Sequence, residues 1–260
     1  MFDTHCHLDD ESYDADRAAV LARAAAAGVT DVLVPAIRPS TFGALIEKMA
    51  IPSPVRLHLA LGFHPQVVPD LTPGEWDALN DLSAALVRHK AVAVGECGLD
   101  GPTGHIEAQD RLFRAHIRIA RNLRLPLIVH AFRTHEPVLR ALKEERAHEV
   151  GGVIHSFSGS PPLVARYVDL GFALSFAGAV TWPRAKRPLA AAAVVPEHAL
   201  LAETDGPDQS PSRLRGQRNE PAAVSDVVAA LAQLRGQPVQ DVARKLQSNA
   251  ERIFRLSTAT

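Results

Sequence analysis

The sequence predicts a TIM-like (β/α)8 barrel built as a single domain, and three observations predict it. About eight short apolar runs recur along the chain, each followed by a helical stretch. No linker, composition break or repeat of residues divides the 260 positions, so residues 1–260 read as one unit. No glycine-rich phosphate loop follows an early strand, as an open doubly wound sheet would show. With 47% hydrophobic residues the chain can bury a core of that size.

The elements follow in order. Phe2–Leu8 reads as a strand whose alternation puts Asp3, His5 and His7 on one face. Ala18–Ala27 is alanine-rich and stops at Gly28, the pattern of a helix with glycine just past its end. Asp31–Pro35 is a buried strand, and Ser40 caps a helix through Met49. Val55–Leu61 is a strand ending in Gly62-Phe63-His64-Pro65, and Pro73 opens a helix to about Arg88. Ala91–Glu96 is a strand ending on a carboxylate. Ile106–Leu123 is a long helix with Leu112, Phe113, Ile117 and Ala120 on one side. Strands Pro126–His130 and Gly152–His155 both end on histidine, with a helix over Glu136–Glu149 between them. Helix Pro162–Leu170 stops at Gly171, strand Phe172–Phe176 follows, and then helix Ala185–Val194. Ala199–Asp205 is a strand ending on aspartate, and helices Pro221–Leu234 and Pro238–Leu256 close the chain.

Composition excludes several classes. A net charge of -1 provides no global basic field for nucleic acid, so any such binding is local. Aromatics are 5%, which leaves few rings for stacking bases. Cys6 and Cys97 are too few for a disulfide framework and suit a reducing compartment. Met1 leads straight into a polar motif and no apolar run reaches membrane-spanning length, so a cytoplasmic protein without a membrane or obligate protein partner is expected.

The strand ends carry the chemistry. His5, His7, Glu96, His130, His155 and Asp205 all fall at or near the C-terminal end of a predicted strand. In a parallel barrel those ends converge on one face, where active sites lie. Singly, His130 or His155 reads as readily as a structural histidine, Asp205 as a turn residue and Glu96 as a cap. Six convergent N and O ligands are more than one tetrahedral ion uses. Two ions sharing a carboxylate would use them all, and Glu96 is the natural bridge. None of Lys48, Lys90, Lys143, Lys186 and Lys245 stands at a strand's C-terminal end, so a modified lysine cannot take that place. Paired ions would activate a water, and Asp205 could bind one ion and accept the water's proton. His64 reads either as a structural histidine or as a donor to a developing oxyanion. Arg213, Arg215 and Arg218 form a basic loop, and Arg218 opens onto a helix start. Arg133, and Arg184 with Lys186 and Arg187, are further candidates for phosphate contact.

Taken together, Asp3–Leu8, Gly62–Pro65, Gly95–Asp100, His130, His155–Ser160, Glu203–Asp205 and Arg218–Pro221 resemble the TatD-type metal-dependent deoxyribonucleases of the amidohydrolase superfamily, in order and over nearly the whole chain. The resemblance implies a distorted TIM barrel, a divalent-metal requirement and hydrolysis of DNA at 3′ ends. It places His5 and His7 on the first ion, Glu96 on the bridge, His130 and His155 on the second ion, and Asp205 as the last, catalytic carboxylate. Asp3 then orients its neighbours and is not a ligand. Two departures stand out. The family usually has aromatic residues after Gly-Leu-Asp, where this chain has Gly101-Pro102-Thr103-Gly104. The family often has Ser-Arg after the fifth ligand, where this chain has Ala131-Phe132, with Arg133 one position on.

The expectation is therefore a 3′–5′ exodeoxyribonuclease with a water activated by two divalent ions (Mg, Mn or Zn), acting on single-stranded DNA ends. Asp205, Glu96 and His64 are its expected catalytic residues, and His64, Arg133 and Arg218 its substrate contacts. The alternative is a small-molecule amidohydrolase cleaving a C–N or ester bond, which the near-neutral charge and the missing aromatics favour. A non-catalytic metal or nucleic-acid scaffold is the third reading.

Overall fold

The computed structural model describes residues 1–256, so the last positions of the expected 1–260 domain lie outside the described residues. The chain runs β1 (Phe2–Asp3), α1 (Arg17–Ala26), β2 (Asp31–Pro35), α2 (Phe42–Met49), β3 (Arg56–Leu61), α3 (Pro73–Asp77), α4 (Leu82–Arg88) and β4 (Ala93–Asp100). It continues through α5 (Ile106–Leu123), β5 (Leu127–Phe132), α6 (His135–Glu144), β6 (Gly152–Ile154), α7 (Pro161–Val168), β7 (Phe172–Phe176), α8 (Lys186–Val194), β8 (Leu200–Ala202), α9 (Val224–Arg235) and α10 (Val239–Ile253). The eight strands pair in sequence order, all parallel. This is the predicted (β/α)8 barrel.

Alternation along each strand divides its side chains between two cores. Phe2, Leu33, Ala60, Ala93, Ile128, Val153, Ala173 and Leu201, one from each strand, pack together with Ala250 and Phe254 at the end of α10. That layer fills the barrel interior below the site. The alternate residues, among them Val32, Val34, Leu61, Val94, Val129 and Leu174, pack outward against the helices. The 18-residue α5 buries Leu112, Phe113, Ile117 and Ala120, the face the sequence predicts.

The seam between β1 and β8 closes above the strands. Thr4 N–H donates to Ala202 O at 3.2 Å, Asp205 N–H to His5 O at 2.8 Å and His7 N–H to Gly206 O at 2.8 Å. Asp3 ties the seam from within: Oδ1 accepts from Thr204 N–H at 2.8 Å and Oδ2 from the Thr204 hydroxyl at 2.6 Å. The two ends that carry His5, His7 and Asp205 are thereby fixed to each other by backbone, before any metal is considered.

Three local expectations are corrected. The helix expected over Pro73–Arg88 breaks after Asp77, where Asn80 and Asp81 are poor formers and a new helix starts at Leu82. Ser40 does not cap α2; its hydroxyl donates to Glu75 Oε1 at 2.7 Å, beside the Arg38 guanidinium, and a short 3-10 turn at Pro39–Thr41 leads into the helix. The strand expected to end on Glu96 runs on to Asp100, with a register shift between Val94 and Cys97.

That shift matters for the site. Ala93 faces the interior, so regular alternation would send Glu96 outward; the irregularity turns it in. Gly98 lets the reshaped strand lie against β5. Its φ is +139°, and a Cβ there would sit 2.1 Å from His130 O.

Candidate metal centre

The six expected ligands meet at the C-terminal mouth of the barrel. Alternation from the interior layer delivers four of the site's histidine and carboxylate side chains. Val153 leads to His155, Ile128 to His130, Ala60 to His64 and Leu201 to Glu203, all at steps of two or four. Asp205, at φ +54° beyond β8, is held by its N–H bond to His5 O. His5 and His7 lie beyond β1, which is only Phe2–Asp3, and are held by the seam instead.

The side chains fall into two groups around Glu96, which is wholly buried. On one side His5 Nε2 and His7 Nε2 are 3.3 Å apart, and they lie 3.0 and 3.5 Å from Glu96 Oε2. Asp205 Oδ1 is 3.6 and 3.7 Å from the same two nitrogens. Four ligands set tetrahedrally about 2.0–2.1 Å from one ion lie about 3.4 Å from one another. The observed spacings bracket that value, and Glu96 Oε2 accepts no hydrogen bond despite its burial. These residues fit one divalent ion.

On the other side Glu96 Oε1 is 2.8 Å from His130 Nδ1, 2.7 Å from His155 Nε2 and 2.9 Å from His64 Nε2. The His130 and His155 nitrogens are 3.1 Å apart. Two residues outside the expected set hold these imidazoles. Asp100 Oδ2 lies 3.0 Å from His130 Nε2, and Asp100 is itself fixed by Gln66 and Thr103. A carboxylate there accepts the Nε2 proton and leaves the Nδ1 lone pair facing Glu96, where an ion would sit. Glu203 Oε1 accepts from Ser156 N–H at 2.5 Å and stands 3.5 Å from His155 Nδ1. Glu203 is marked in the sequence by its place two residues before Asp205, whereas Asp100 lies on the part of β4 beyond Glu96 that the expected strand leaves out.

His64 differs from the other histidines. Gln66 N–H donates to His64 Nδ1 at 3.1 Å, so the neutral ring carries its proton on Nε2 and presents a donor to the site. In this structure Glu96 Oε1, 2.9 Å away, accepts that Nε2–H.

The electrostatics follow from close packing. Burial alone would raise the Glu96 pKa, but His155, His64 and His5 outweigh it and hold it well below the carboxylate range. Burial likewise disfavours charge on Asp205, and His155, His5 and His7 keep its pKa low. Burial would lower the His155 and His130 pKa values, yet Glu96 with Glu203 raises the first and Asp100 with Glu96 raises the second. His5 goes the other way, lowered by burial and by His155. Asp3 is pushed well up by burial; it touches Thr204 and the His5 backbone, and no imidazole ligand atom.

The centre opens into a cavity of about 340 Å³ whose walls include Gln66, Phe132, Ser156, Ser158, Asp208 and Gln209. Gln209 donates to Asp205 Oδ2 and, at 2.6 Å, to Ser156 Oγ. The expected arginines are not in this wall. Arg218 lies 4.7 Å over the Tyr13 ring and donates to Asp16 at 2.8 Å and to Ser12 O. Arg213 pairs with Asp226, and Arg215 lies over Trp182. Arg133 is exposed, with its guanidinium 5.3 Å from the Phe132 ring centre.

Comparison with known proteins agrees with this geometry. The family described as TatD related DNase matches residues 2–255. The metal-dependent hydrolase YabD of Bacillus subtilis is 36% identical over 262 residues, covering 99% of this chain and all of that protein. The metal-dependent hydrolase YjjV of Escherichia coli is 36% identical over 258 residues, 98% of this chain and 97% of the relative. The crystal structure of that TatD homologue superposes with a TM-score of 0.91 over 99% of this chain and 98% of its own. A TatD family hydrolase from Entamoeba histolytica, 21% identical, shares the fold with a TM-score of 0.85 over 97% of each chain. A barrel with these clustered histidines and carboxylates, matched from end to end, belongs to the TatD family of metal-dependent hydrolases.

Proposed function

We propose that the protein is a two-metal phosphodiesterase that removes nucleotides from the 3′ ends of DNA. The observation that carries this reading is the division of Glu96: Oε2 faces His5 and His7, and Oε1 faces His130 and His155. Divalent ions shared across one carboxylate would supply a water of lowered pKa and would offset the charge that builds on an attacked phosphoryl group. The chain's own residues do the rest. Asp205 stands beside His5 and His7, its charged form favoured, and accepts the proton of the attacking water. His64 offers Nε2–H to a developing oxyanion, and Gln209 keeps Asp205 turned towards the centre. Four imidazoles with two carboxylates suit Zn²⁺ or Mn²⁺, while Mg²⁺, which prefers oxygen ligands, is favoured by phosphodiester hydrolysis and not by the donor set.

A second reading, a small-molecule amidohydrolase, draws support from the cavity wall. That wall holds no lysine or arginine among the described residues, and Asp100 and Asp208 add negative charge at its edge. A polyanion would therefore depend on bound ions for its attraction. Purified protein loaded in turn with Mn²⁺, Mg²⁺ and Zn²⁺ separates the readings, with 5′-labelled single-stranded DNA assayed beside simple esters and amides. Progressive shortening of the DNA from its 3′ end is expected. Intact DNA together with turnover of an amide or ester would assign the second reading. No helix among the described residues is long and apolar enough to cross a membrane, and both cysteines are free and buried; a cytoplasmic location fits those two facts.

A further inference from the structure

The four residues directly after Asp100, Gly101–Gly104, include no aromatic, yet an aromatic ring stands at the mouth of the metal centre. Of the nine phenylalanines, Phe132 is 40% exposed, whereas Phe42 is half-buried and Phe2, Phe63, Phe113, Phe157, Phe172, Phe176 and Phe254 are all buried. It is the one phenylalanine, tyrosine or tryptophan in the cavity wall among the described residues. Its place is set by the strand. Ile128 lies in the interior layer, His130 two positions on faces Glu96, and Phe132 two positions further stands on the same face, one step nearer solvent. Gly101 N–H donates to Phe132 O at 3.0 Å and fixes that backbone. Arg133 then adopts φ +58°, an unusual conformation for a residue with a side chain. The guanidinium lies over the Phe132 ring, 5.3 Å from its centre.

We propose that Phe132, backed by Arg133, is the platform on which the terminal nucleobase of the substrate stacks. The inference rests on the nuclease reading above and adds what the site selects. A planar ring joined to a phosphate is the ligand this arrangement fits: the ring lies on Phe132, and the guanidinium beside it offsets phosphate charge that the cavity wall itself does not meet. Stacking tolerates any base, because every base has a π face. It does require the base to be unpaired, so the platform selects single-stranded or frayed ends and is indifferent to sequence.

The test compares two single-stranded DNAs that differ in the 3′-terminal residue, one ordinary and one abasic. The metal-loaded wild type should process the ordinary end about tenfold better in kcat/KM, the fold-change that base–aromatic stacking supplies. In Phe132→Ala that preference should fall to within about twofold, and Phe132→Trp should keep it. Binding provides a readout apart from turnover: dAMP should bind the wild type about tenfold more tightly than deoxyribose 5-phosphate, with the gap lost in Phe132→Ala. Metal content equal to wild type shows that the variant has kept its centre. A preference that survives in Phe132→Ala, or a wild type that treats both ends alike, overturns the platform and leaves the nuclease reading standing. A wild type that cleaves neither DNA overturns both.

Discussion

Glu96 Oε1 lies 2.7 Å from His155 Nε2, while its other oxygen lies 3.0 Å from His5 Nε2. One buried carboxylate therefore touches both groups of imidazoles, and its loss should disable both. Glu96→Gln keeps the size and removes the charge. Metal affinity should fall by more than about a hundredfold, since even residues that only orient ligands cost 10–100-fold. A thermal readout follows by mass action. An ion at about 100 times its Kd adds about 2.7 kcal/mol, or roughly 5–10 °C in a chain of this length. That rise should appear in the wild type and vanish in Glu96→Gln; an equal rise in both would mean that Glu96 is no ligand.

Asp205 is expected to separate binding from turnover. It is one of four groups around the first ion position, so Asp205→Asn should still load metal at saturating concentration. It should lose the proton acceptor, with kcat lower by about 10²–10⁴-fold. Metal analysis beside steady-state kinetics reads both. Unchanged turnover would leave Asp205 as scaffold and move the proton acceptor elsewhere.

Much of this centre is legible before any fold is seen, for a reason particular to β5 and β6. Their alternation is regular, so His130 and His155, at or just past the strand ends, face the same way as Ile128 and Val153 below them. Asp205 lies three residues past β8 at φ +54° and is aimed by its N–H bond to His5 O. Glu96 is legible as a strand-end residue for the wrong reason: β4 continues to Asp100, and only the register shift after Val94 turns Glu96 inward. Local pattern does not encode that shift, and a strand taken to stop at Glu96 hides Asp100 behind it. The arginines mislead for a different reason. Charge in a loop tells nothing of where a long side chain ends, and Asp16, Asp226 and the Tyr13 ring claim Arg218 and Arg213 before the cavity can. Phe132 reads in the sequence only as a departure from a motif; its exposure at the cavity mouth is a property of the barrel rim.

Asp100 should prove as necessary as a ligand without being one. It accepts from His130 Nε2–H and so fixes which nitrogen faces the ion. Asp100→Asn weakens that acceptor and can present an amide N–H to the same nitrogen. Metal affinity should fall by about 10–100-fold while the chain stays folded. Titration calorimetry with Mn²⁺ or Zn²⁺ checks it, and affinity within about twofold of wild type would confine Asp100 to holding Thr103 and Gln66.

His116 offers a prediction free of metal. It is fully buried in α5, behind the turn that presents His64. Nδ1 is 2.8 Å from Leu112 O and donates to it, and Nε2 accepts from Phe63 N–H at 3.1 Å. A neutral ring satisfies both bonds and a protonated ring cannot, and burial pushes its pKa down to about 4. The unfolded chain titrates near the ordinary value of about 6.5, so between that pH and about 4 it takes up a proton that the folded chain refuses. The contribution of His116 is thus complete above about pH 6.5 and declines as pH falls towards 4, by up to about 3 kcal/mol, with no further change below. Glutamine supplies the same acceptor and donor without titrating. In urea unfolding of metal-free protein with chelator, His116→Gln should match the wild type near pH 7.5 and exceed it increasingly towards pH 4.5, other groups cancelling in the difference. His116→Ala should lose about 2–4 kcal/mol at neutral pH, because it leaves a cavity and an unpartnered Phe63 N–H. Parallel curves for wild type and His116→Gln would show that the buried imidazole does not resist protonation.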